Sequence, residues 1–145
     1  MVSEFYNGYV KENNKLFGIL ICALITAILF VIIPQIAFIF PGDIHLLIGT
    51  CVGQYFTFKN RKETQSYIKL GVIVGAAGAF LALILDAVFY WIAYALLIGF
   101  DVLLYLLISL AFYSGIMYII TGIIIGIFFG IGFRNRATRE ESPLL

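Results

Sequence analysis

Residues 70–133 read LGVIVGAAGAFLALILDAVFYWIAYALLIGFDVLLYLLISLAFYSGIMYIITGIIIGIFFGIGF, and they hold no lysine or arginine. Asp86 and Asp101 are the only charges in the run. About 20 apolar residues in helical form cross the hydrocarbon core of a bilayer, so this stretch alone is long enough to cross twice. The sequence therefore predicts an all-α integral membrane protein.

Composition agrees. The chain has 145 residues, 63% hydrophobic and 12% charged, with a mean hydropathy of +1.07. A soluble domain carries about 25% charged residues. The net charge of +1 gives no sign of a polyanionic partner, so nucleic acid is not expected. Cys22 and Cys51 both lie in apolar segments, outside any CxxC pattern, and read as small buried hydrophobes.

Outward from the long run, residues 1–15 are polar and Leu16–Phe40 is apolar. That apolar stretch is too long for the core of a signal peptide, and no small-x-small site follows it, so it reads as a retained first helix. Pro34 and Gln35 should kink or end its regular part. Pro41-Gly42-Asp43 is a turn signal. The second segment, Ile44–Phe58, is only about 22 Å long as helix, against about 30 Å of hydrocarbon. It spans if Gly42 and Asp43 join it, if Lys59 snorkels or if the bilayer thins; a re-entrant half-helix is the alternative. A basic loop follows, with Lys59, Arg61, Lys62, Glu63 and Lys69.

The obvious break in the long run is Gly99-Phe100-Asp101. It predicts helices of about 68–98 and 102–133, each about 46–48 Å long. Such helices exceed what tilt alone absorbs, so the hairpin tip should project, bend or be covered. Cutting the run into three helices of about 20 residues instead would need breaks near Asp86–Tyr90 and Ser109–Gly115, and residues 86–91 (DAVFYW) hold no turn former. Charge decides between the two. Four segments put Lys11, Lys15, the 59–69 loop and Arg134, Arg136 and Arg139 on one side, with Asp43 and Asp101 opposite. This is the positive-inside pattern, with both termini cytoplasmic. A re-entrant segment at about 90–110 preserves the same orientation. The expected organisation is a polar N-terminal segment at 1–15, a four-segment helical bundle over 16–133 and a basic-then-acidic tail at 134–145. The tail's Glu140–Leu145 resembles an acidic dileucine sorting signal, a pattern that also arises by chance.

Small residues mark the faces expected to pack. Gly71, Gly75, Gly78, Ala79, Ala82 and Asp86 share one sector of the third helix. Gly115, Gly122, Gly126 and Gly130 form a row on the fourth. On the second, His45, Gly49 and Gly53 align at i, i+4, i+8, flanked by Thr50, Gln54 and Thr57. Small residues let helix backbones approach in lipid, where no hydrophobic drive holds helices together. Such faces either close the bundle on itself or meet a second copy or a partner subunit. Aromatic residues gather beside the basic loop (Tyr55, Phe56, Phe58) and around the 99–101 turn (Phe89, Tyr90, Trp91, Tyr94, Phe100, Tyr105), as an interfacial belt does. The second cluster is also a candidate docking surface.

Polar groups in the apolar segments are the remaining signal. A carboxylate in hydrocarbon costs about 2.5–3.5 kcal/mol on insertion scales. Asp86 can avoid that cost by protonation, by lying at the interface, by pairing with His45, or by meeting a partner's cation. Gln54 should hydrogen-bond across helices, with solute coordination as the other reading. Asp101 reads as a turn residue in water. There is one histidine, no HExxH and no P-loop, and no Ser/His/Asp set has a telling spacing. No enzyme, cofactor or metal is expected. The readings are a non-catalytic scaffold or accessory subunit packed through Gly-rich faces, or a minimal homo-oligomeric transporter or channel using Asp86, His45 and Gln54.

Overall fold

A computed structural model describes Gly8 and residues 10–32, 44–98 and 100–140, with side-chain surroundings complete over 10–32, 44–89 and 115–139. Every described element is helical: α1 (Asn14–Ile32), α2 (Ile44–Lys59), α3 (Tyr67–Ile98) and α4 (Phe100–Glu140). Three helical stretches, Asn14–Ile32, Tyr67–Phe89 and Gly115–Arg139, are long and apolar enough to cross a membrane. At 16 residues, α2 is shorter than a hydrocarbon core is thick. Pro34, Gln35, the Pro41-Gly42-Asp43 turn, Gly99 and Glu141–Leu145 lie outside the described residues, as do the side chains of Tyr90, Tyr94, Phe100, Asp101 and Glu140.

The three prolines of the chain, Pro34, Pro41 and Pro143, all fall outside these helices, so nothing interrupts their backbone ladders. Several bounds differ from the sequence reading by one or two residues, and α4 begins at Phe100, so Asp101, read as a turn residue, lies in its first turn. The first helix begins at Asn14, before its apolar run does. The last runs past Phe133 to Glu140, because residues 134–140 (RNRATRE) contain no helix breaker. The basic tail is therefore a helical extension as far as Glu140. Ser66 stands at the N-cap position of α3, where its carbonyl accepts from Leu70 N at 3.0 Å.

Consecutive helices pack antiparallel to one another. α3 lies along α4 in the most extensive contact, α1 along α2 in the next, and α1 also touches α3. α2 makes smaller contacts with α3 and α4. The interior is built from small and polar residues. On α1 the buried positions are Asn14, Gly18, Cys22, Ala23, Thr26 and Ala27, while Leu16, Leu20, Leu24 and Ile28 point outward. One apolar cluster joins Ala23, Leu46, Ala79, Ala82 and Tyr118; a second joins Phe58, Leu70 and Val74.

Contacts also place α1's start, the α2–α3 loop and α4's distal part at one end. Asn14 Nδ2 donates to Gln65 Oε1 at 2.9 Å, and Gln65 Nε2 donates back to Asn14 Oδ1 at 3.1 Å. Phe58 stacks on Phe133 with ring centroids 4.9 Å apart. All the described lysines and arginines therefore sit at this end.

Candidate functional site

The glycine rows of α3 and α4 meet each other. A Cβ built on Gly71 would collide with the carbonyl oxygen of Gly126, and one on Gly126 with that of Gly71. Gly75 and Gly122 form the same reciprocal pair one turn along. Each Cα–H thus faces the other helix's carbonyl, the geometry of Cα–H···O contacts. A Cβ on Gly130 would come within 2.9 Å of Tyr67 O, and one on Gly115 within 3.0 Å of a Leu83 methyl. The fourth helix's row, Gly115, Gly122, Gly126 and Gly130, therefore packs within the chain.

The sector of α3 is divided between two neighbours. Gly71 and Gly75 face α4, whereas a Cβ on Gly78 would meet Cys22 Sγ of α1 at 2.7 Å. On α2, Gly49 and Gly53 face α1: added Cβ atoms would lie 2.6 Å from Cys22 O and 2.6 Å from Gly18 O, respectively.

Gln54 sits where three helices converge. Its Nε2 donates to Gly71 O at 2.7 Å, and a methyl added at Gly75 or Gly126 would lie 3.1 Å from that nitrogen. The long α2 amide occupies space that the glycines of α3 and α4 leave open. Its Oε1 has no hydrogen-bond partner among the described residues. The neighbouring hydroxyls are satisfied locally. Thr57 Oγ1 donates to Gly53 O at 2.8 Å, and Thr26 Oγ1 to Cys22 O at 2.8 Å. Thr50 Oγ1 and Cys22 Sγ share a contact of 3.5 Å.

Asp86 is buried at the other end of the interior. Tyr118 Oη of α4 donates to its Oδ2 at 3.2 Å. Sequence reasoning did not single out Tyr118, because its partner lies 32 positions away on another helix. No hydrogen bond joins Asp86 to His45. The His45 ring is 2% exposed, stands edge-on to Phe30, and has no hydrogen-bond partner on either nitrogen among the described residues. A buried polar group without a partner costs about 1–3 kcal/mol, and among the described residues the His45 nitrogens and Gln54 Oε1 carry such unmet bonding capacity.

Also missed from sequence was the inner face of α1. Asn14, Gly18, Cys22 and Thr26 recur every four residues and meet the His45–Gly49–Gly53–Thr57 row of α2. The i+4 spacing was a visible signal, masked by the hydropathy of the residues around it. Among the described residues, no three His, Cys, Asp or Glu side chains gather to hold a metal ion.

At the basic end, Arg61 turns inward. Its Nη1 donates to the carbonyls of Lys62 (3.0 Å), Glu63 (3.2 Å) and Gln65, and its Nη2 to Tyr67 Oη at 2.8 Å. The guanidinium carbon lies 3.8 Å from the Tyr67 ring centroid. This arginine clamps the loop, whereas Lys59, Lys69, Arg134, Arg136 and Arg139 are exposed. No family model matches the chain, and no curated protein or solved structure is detectably similar to it.

Proposed function

We propose that this chain is a multi-pass integral membrane protein with four membrane segments and both termini cytoplasmic, serving without catalysis as a scaffold or accessory subunit of a membrane assembly. One observation carries the reading. The three apolar helical stretches bury no more than 33% of their apolar windows within the chain. They turn glycines, alanines and threonines inward, and large aliphatic residues such as Leu24, Ile28, Ile84, Ile116 and Ile124 outward. Contiguous exposed apolar surface on this scale marks contact with a membrane or a partner. Lipid accounts for most of the outer surface. The glycine faces are filled within the chain, so association with a second copy or another subunit falls to the outer aliphatic faces.

The test has two parts. Alkaline carbonate should leave the protein in the membrane pellet; its release would end the membrane reading. The mass of the gently extracted particle should then exceed that of one 16.2 kDa chain plus its detergent. A strict monomer would remove the scaffold role.

A minimal transporter or channel is the second reading, favoured by the unpartnered His45 nitrogens and Gln54 Oε1 and by the buried Asp86. It predicts a pH-dependent flux in liposomes that Asp86→Asn abolishes; no flux in the wild type excludes it.

A further inference from the structure

The outward face of α4 changes character at its basic end. Phe128, Gly132 and Arg136 follow at i, i+4, i+8, opposite the glycine row that meets α3. Phe128 is 69% exposed. Gly132 leaves a gap in which an added Cβ would meet nothing within 4 Å, and Arg136 stands exposed one turn beyond. Phe129 and Phe133 wall the gap. Together the five residues line an open groove of about 350 Å³, aromatic along its length and cationic at one end. Seven exposed lysines and arginines share this end of the molecule with two exposed carboxylates, Glu12 and Glu63, among the described residues.

We propose that this groove binds one anionic phospholipid, with an acyl chain along Phe128 and over Gly132 and the phosphodiester on Arg136. The inference rests on the membrane reading above. Arginine presents a planar fork of donors that matches a phosphate, and basic residues just beyond a membrane helix attract anionic headgroups. The occupant is a lipid rather than a protein, because a groove lined by four side chains and a glycine is far smaller than the roughly 1,000 Å² that a stable protein interface needs.

Native mass spectrometry of the full chain in detergent tests this, with phosphatidylglycerol and phosphatidylcholine titrated separately. One phosphatidylglycerol should be retained at least tenfold more tightly than phosphatidylcholine. Arg136→Gln should weaken retention about tenfold by removing the charge. Gly132→Leu should do the same by filling the groove, in open space where the fold loses nothing. Arg139→Gln should stay within twofold of wild type. Equal retention of the two lipids would overturn the site, and so would equal losses in Arg136→Gln and Arg139→Gln with none in Gly132→Leu, which mean diffuse charge attraction. A dimer that Gly132→Leu dissolves would assign the groove to a second copy instead. Carbonate extraction of the same preparation separates failure of the lipid site from failure of the membrane reading.

Discussion

At the residue scale, glycine matters here for the space it leaves rather than for its backbone freedom. Gly126 and Gly132 are six positions apart on one helix and differ only in what stands opposite. Gly126→Ala puts a methyl on the Gly71 carbonyl, where backbone on both sides must yield; overpacking of this kind costs about 1–3 kcal/mol. Gly132→Ala meets open space. Thermal melting in detergent should show a clear drop for the first and almost none for the second. Equal melting would deny the seam. Gln54 separates packing from polarity. Gln54→Leu keeps the volume and gives up one interhelical hydrogen bond, a contribution of about 0.6–1.7 kcal/mol, while relieving the unpartnered Oε1. Gln54→Ala also opens a cavity among three helices, so it should be the more destabilising. Equal losses would mean that the hydrogen bond alone matters.

At the scale of elements, the α2–α3 connection is ordered by two side chains: Gln65, which pairs with Asn14 and accepts from Lys62 N at 3.1 Å, and Arg61. Arg61 reaches three loop carbonyls and the Tyr67 hydroxyl, and stacks on the Tyr67 ring. Lysine has neither the fork nor the planar face. Hydrogen exchange at amides 61–66 should accelerate about tenfold in Arg61→Lys as well as in Arg61→Ala. Protection kept in the lysine variant would show that charge suffices. The α1–α2 pair is an element-scale feature of another kind. Two four-residue rows, Asn14–Gly18–Cys22–Thr26 and His45–Gly49–Gly53–Thr57, interlock through backbone-to-backbone approach. Period and residue size made His45, Gly49 and Gly53 of the second row legible, with Thr57 read only as a flank. The first was not, because its members look unremarkable among leucines and isoleucines.

At the scale of the whole molecule, the described cations gather at one end, which the Asn14–Gln65 pair and the Phe58–Phe133 stack hold together. In a chain cleared of Cys22 and Cys51, single cysteines at Lys62 and Thr138 should resist an impermeant thiol reagent in intact cells and react after permeabilisation. Labelling of either from outside would sink the proposed orientation.

Composition and hydropathy were enough to determine that the chain is helical and carries apolar helices long enough for a bilayer, because backbone amides in an apolar run must bond within their own segment. Residue size along each helix marked Gly71, Gly75, Gly122 and Gly126 as places of close approach. Which neighbour each face meets was decided only in the tertiary structure. Gly78 turns to α1 while Gly75 turns to α4, Asp86 takes the Tyr118 hydroxyl, and Gln54 enters the gap between two glycine rows. The physical reason is that periodicity defines a direction around one helix axis. The partner in that direction depends on how the axes cross, and those crossings are set by all the contacts at once.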